Sequence, residues 1–142
     1  MRALLEQATT FLDDLVRLRR EIHAHPELAF QEQRTAATAA RIVRDLGFDV
    51  RTGIGRTGVL AELRHGAGPV IALRADMDAL PIREENDVDY RSTNDGVMHA
   101  CGHDAHVAML VGAARLLADA RARGQLSPGT VRLLFQPAEE AS

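Results

Sequence analysis

Apolar residues in this chain change spacing repeatedly, from the three-and-four rhythm of a helix to short strand-like runs and back. No other feature of the sequence constrains its fold as much. Leu4, Ala8, Phe11, Leu15, Leu18 and Ile22 form one helical stripe. His25-Pro26 ends it, because a residue before proline is pushed out of the α region. Ala36, Ala39, Ala40, Val43 and Leu46 form a second stripe, with Gly47 placed as the C′ stop. Phe48 to Thr52 and Val59 to Leu63 read as short strands, and His65 to Pro69 as a turn. Val70 to Leu73 is an apolar run short enough for a strand buried on both faces. Residues 82–100 are polar and irregular. The helical period returns at Val107, passes through Leu110, Val111, Ala114, Leu117 and Ala118, and ends near Gly124. Val131, Leu133 and Phe135 alternate as a last strand, which Pro137 closes. Strands and helices in this order predict an α/β sheet with helices packed on it.

Composition narrows the function classes. At 142 residues the chain has the size of one domain and can bury a core. Aromatic residues make up only 4%, with no Trp, so that core must be built from Leu, Val, Ile and Ala. The net charge is −3 and the basic residues are spread along the chain, which leaves no electrostatic footprint for nucleic acid or an anionic membrane. Glu6, Asp13 and Asp14 interrupt the N-terminal run, so it fits neither a signal peptide nor a membrane span. The single cysteine excludes an internal disulfide framework and fits a reducing cytoplasm.

Three segments dense in Asp, His, Cys and Glu stand where strands end or a helix begins. Arg74-Ala-Asp-Met-Asp78 follows one predicted strand, Gln136-Pro-Ala-Glu-Glu140 follows another, and His99-Ala-Cys-Gly-His-Asp104 precedes the long helix. Ligands of open α/β sheets sit outside the carboxyl ends of the strands, so all three segments point to one edge. Cys101 and His103 are ligand types for zinc-like ions, and a helix N-terminus beside the cysteine favours its thiolate. The plainer alternative is a buried small hydrophobe beside a surface histidine. Glu139 and Glu140, adjacent at a strand end, call for a cation, with one as ligand and the other as general base. Otherwise they are a solvated acidic turn. Asp76 and Asp78 are a ligand, a partner that orients a histidine, or a pair of turn aspartates. His23, His25, His65, His99 and His106 read as ordinary polar residues, and none is singled out as a ligand.

These motifs carry a resemblance. Met98 to His106, Leu73 to Pro81, Phe135 to Glu140 and Arg19 to Leu28 are similar to the M20 metallopeptidase family, in its hippurate hydrolase, N-acyl-amino-acid amidohydrolase and auxin-conjugate hydrolase branch. The resemblance implies part of a zinc-exopeptidase-like α/β/α catalytic domain, a mixed sheet flanked by helices. It implies Cys101, His103 and Glu140 as metal ligands and Glu139 as the general base. Asp76 stands where other M20 branches carry a histidine ligand, so no metal role passes to it, while Asp78 keeps a supporting one. It further implies two divalent ions per complete site, zinc or manganese first and cobalt or nickel next, and a small N-acyl amino acid as substrate. Residues 1–142 are then the N-terminal part of the catalytic domain. Two further histidine ligands, the rest of that domain and a dimerisation or lid domain are expected beyond it, in a homodimer or tetramer. A different class stays open: a catalytically inert remnant that binds metal or a partner.

Overall fold

The computed structural model describes residues 2–141. Its elements in chain order are α1 (Arg2–Thr9), α2 (Leu12–Ala24), α3 (Gln33–Asp45), β1 (Asp49–Ile54), β2 (Gly58–His65), β3 (Val70–Asp76), α4 (His103–Ala122) and β4 (Gly129–Gln136). The four strands form one mixed sheet in the order β1-β2-β4-β3. β2 runs antiparallel to both β1 and β4, whereas β3 is parallel to β4. A parallel pair needs a crossover, and α4 supplies it.

The core lies between the sheet and the helices. Val59, Ala61 and Leu63 of β2 pair with Phe135, Leu133 and Val131 of β4, so these side chains share one face. They cluster with Leu18 and Ile22 of α2, Ala39 and Val43 of α3, and Val107 and Val111 of α4. Because α3 and α4 touch each other as well as the sheet, they pack on the same face. On the other face Glu62 is buried, bracketed by Arg64 and Arg132. Their hydrogen bonds hold its carboxyl below the usual carboxylate range.

Two expectations need correction. The first helical stripe is two helices. The Thr9 and Thr10 hydroxyls donate back to the carbonyls of Leu5 and Gln7, competing with the helical ladder, and the chain turns at Phe11. Phe11 is buried at that turn, while Leu4 is 56% exposed and contributes nothing to the core. The run at Val70 is also not buried on both faces. β3 is paired only with β4 among the described residues, and Val70 and Ile71 are 54% and 61% exposed. An edge strand buries only what its single neighbour and the overlying helix cover, here Ala75 and Asp76 at its carboxyl end.

The polar segment 82–100 has no helix or strand, yet it is pinned. The Thr93 amide and hydroxyl both donate to the Ala24 carbonyl, and the Asn94 side-chain amide donates to that of Pro26. It delivers His99 and Cys101 to the start of α4.

Candidate metal centre

Because β3 and β4 are parallel neighbours, their carboxyl ends lie at the same edge, with Asp76 opposite Gln136. The residues that follow each strand therefore meet. Gly102, at φ +86, turns the chain into α4 in a conformation open to glycine, and nothing crowds the place of its missing Cβ. That turn aims His103 back over the strand ends.

His103 is the centre of the arrangement and is 2% exposed. Its Nδ1 donates to Asp78, with the carbonyl oxygen at 2.9 Å and Oδ1 at 3.2 Å. Fixing the proton on Nδ1 leaves the Nε2 lone pair facing outward, the form a metal needs. Around Nε2 stand Asp76 Oδ2, Glu139 Oε2 and Glu140 Oε1, each at 3.9 Å. These separations are too long for hydrogen bonds. Two ligand atoms around one tetrahedral ion at zinc bond lengths lie about 3.4 Å apart, so the spacing suits donors gathered around a shared cation.

The donor atoms of Cys101, His103 and Glu140 all lie within 4.8 Å of one another. Asp76, His103 and His106 form a second such group, with His106 Nδ1 at 3.6 Å from Asp76 Oδ2. Asp76 and His106 carried no ligand assignment in the sequence reading. The signal for His106 was its place one helical turn after His103, which puts both on one face. Asp76 is buried, and its Oδ1 has an ion-pair contact with Arg74 but no hydrogen bond.

Burial reverses the plainer reading of the Cys-Gly-His motif, since the cysteine is exposed and the histidine is buried. The expected lowering of the thiol pKa by the helix is also overturned. A hydrogen bond to Glu140, partial burial and the charges of Glu140, Glu139 and Asp76 push the Cys101 thiol up. Carboxylates crowd the thiol and oppose its ionisation, and a divalent cation is what would reconcile them. Thiol, imidazole and carboxylate donors at this spacing fit such an ion.

Behind His103 lies a buried network that sequence reasoning passed over. Asp104 Oδ2 takes Arg19 Nε at 2.6 Å and His23 Nδ1 at 2.8 Å, and His23 Nε2 meets Glu84 Oε1 at 3.0 Å. It ties α2 and the 82–100 segment to the first turn of α4. Neither ring nitrogen of the buried His99 has a partner, and burial pushes its pKa down to about 4. For Arg19, His23, His99 and Asp104 the only hint in the sequence was their place inside two of the four motifs, and Glu84 lies outside all four.

Comparison with known proteins gives the family. The chain is 48% identical over 130 residues to thermostable carboxypeptidase 2 of Saccharolobus solfataricus, covering 90% of this chain and 32% of that protein. It is 47% identical over 128 residues to the N-acyl-L-amino acid amidohydrolase of Geobacillus stearothermophilus, covering 89% of this chain and 34% of that protein. Among solved structures, the Bacillus subtilis YXEP protein, described as a dinuclear metal binding peptidase from the M20 family, superimposes with a TM-score of 0.84 at 46% identity. That match covers 93% of this chain and 37% of the other. The chain thus spans about a third of the length of the curated relatives it matches. Residues 72–142 match the sequence pattern of Peptidase family M20/M25/M40, and with the mixed sheet and the donor cluster at its edge this shows that the chain belongs to that family.

Proposed function

We propose that this chain is the N-terminal part of the catalytic domain of a metal-dependent amidohydrolase that cleaves the amide bond of N-acyl amino acids or hippurate-like conjugates. The observation that carries the reading is the convergence of Cys101, Glu139 and Glu140 on the outward nitrogen of His103. Relatives named as an N-acyl-L-amino acid amidohydrolase and a carboxypeptidase support an amide as the bond attacked.

Cys101, His103 and Glu140 are the ligands, with Asp78 orienting His103 through Nδ1. Two divalent cations, zinc or manganese, supply Lewis acidity toward the scissile carbonyl and the attacking water. Glu139 is the most solvent-open of these carboxylates, with a side chain 38% exposed. It takes the proton from the attacking water and passes it to the leaving amine, so that water and amide become acid and free amine. A solvent-open carboxylate beside a buried, oriented imidazole is the arrangement that proton transfer needs, and it favours chemistry over an inert remnant.

The remaining ligands, the rest of the catalytic domain and a dimerisation or lid domain belong to the wider protein, a cytoplasmic homodimer or tetramer. No helix among the described residues is long and apolar enough to cross a membrane. The 142 residues alone do not turn over substrate in this reading.

The test is metal content and kcat measured together on hippurate and N-acetyl amino acids. In the protein that carries the remaining ligands, Glu139→Gln keeps its metal and loses about a hundred- to ten-thousand-fold in kcat. Glu140→Gln loses metal, and activity falls with occupancy. Metal loss in the first and retention in the second would reverse the two roles. Turnover by the 142-residue chain at the rate of the longer protein would overturn the reading of an incomplete site.

A further inference from the structure

Glu32 lies at the N-cap of α3 yet makes no capping hydrogen bond to its own helix. That duty falls to Glu27, which accepts from the Arg34 and Thr35 amides. The Glu32 carboxylate is instead turned inward and is 0% exposed. Its Oε1 accepts the Phe30 amide at 3.0 Å and the Ala138 amide at 2.8 Å, and its Oε2 accepts the Thr57 hydroxyl. Phe30, Arg56 and Ala138 have positive φ without being glycine, at 62°, 86° and 54°. Two of them donate their amides to this carboxylate, and the third precedes Thr57 and lies over the Phe30 ring. Left-handed residues with side chains are disfavoured and persist where their surroundings over-determine them.

We propose that Glu32 is a positioning residue for the turn that carries Glu139 and Glu140. It holds Ala138 in the left-handed conformation, and Asp78 Oδ2 holds the Glu140 amide at 2.8 Å, so the turn is clamped at both ends by buried carboxylates. Glu139 sits between the clamps with its carboxylate 3.9 Å from His103 Nε2. The inference rests on the reading of Glu140 as ligand and Glu139 as base, and it gives a role to a residue 106 positions before the turn it serves.

The probe is cobalt(II), titrated into the 142-residue chain and followed by its visible and thiolate charge-transfer bands, with hydrogen exchange read at the Ala138 amide. In Glu32→Ala the amide loses about tenfold or more of its protection and cobalt affinity falls by about the same factor, the scale of one hydrogen bond to a charged group. Glu32→Asp keeps the charge and can cap α3 itself, but is one methylene too short to reach Ala138. It behaves like the alanine variant in both readouts, and it carries the test if the alanine variant does not fold. Glu32→Gln keeps an oxygen for both amides, and Thr57 can accept from its NH2, so protection and the cobalt spectrum return. Val43→Ala, a core change that lowers stability elsewhere, leaves the cobalt spectrum unchanged. Unchanged Ala138 exchange and cobalt binding in both the alanine and aspartate variants would overturn the proposal. If Cys101→Ser in the otherwise unsubstituted chain binds cobalt as before, the ligand reading falls instead, and the Ala138 exchange still reports on the clamp.

Discussion

Asp78 spends its two oxygens on two different partners. One fixes the His103 ring, and the other fixes the Glu140 backbone. At 1% exposure it has no water to replace either contact, so losing the side chain leaves the His103 ring on the Asp78 carbonyl alone and frees the turn behind Glu140. Removing a partner that orients a metal ligand typically costs about ten- to a hundredfold in metal affinity. Asp78→Ala is expected in that range by calorimetry. Asp78→Asn should recover only part, since its one side-chain oxygen serves one donor and its amide nitrogen accepts from neither. Affinity unchanged in both variants would detach Asp78 from the site. The resemblance implies a supporting role for Asp78, because Asp76-Met77-Asp78 stands where other M20 branches carry a histidine and its orienting aspartate; its double contact needs the register that sets β3 beside β4.

At the scale of elements, α3 shows how a short motif organises its neighbours. Glu27 closes the helix from outside, taking the Arg34 and Thr35 amides and the Thr35 hydroxyl. Helix-end donors left without a partner typically cost about 1 kcal/mol, and Thr35 is buried. Glu27→Ala should therefore lower the unfolding free energy by about that amount, read from the urea midpoint at constant slope. A variant that unfolds at the parental midpoint would show that water replaces the carboxylate there. Helix periodicity located α3 and α4 because their apolar stripes face the sheet. It failed at Thr10, where side-chain hydroxyls decide the local geometry, and the apolar run that rightly marked β3 as a strand looks the same at an edge as in the middle of a sheet.

At the scale of the whole molecule, the buried charges behind His103 make stability depend on pH. Burial alone would raise the pKa of Glu84. The Ser92 amide at 2.6 Å, His23 and Asn86 outweigh it and hold the carboxyl at about 2, against 4.5 in the unfolded chain. A carboxyl with a lowered folded pKa binds its proton first in the unfolded state. Its contribution is whole above pH 4.5 and disappears as the pH falls toward 2. In the metal-free chain, the urea midpoint should fall more steeply across that interval for the parent than for Glu84→Gln. Parallel curves would place the acid sensitivity elsewhere.

Much of this protein was legible before any coordinates. Hydrophobic spacing determined the α/β class and most of the elements, because period is a local property of the chain. Cys101, His103, Glu139 and Glu140 stood out because their chemistry is unusual for strand ends and helix starts. Only the tertiary structure decided that β3 is an edge strand, that Asp76 and His106 join the cluster, and that Glu32 and Asp104 support the site from within. Those contacts join residues far apart in sequence, and a buried carboxylate reads like a surface one until the partners that satisfy it are brought alongside.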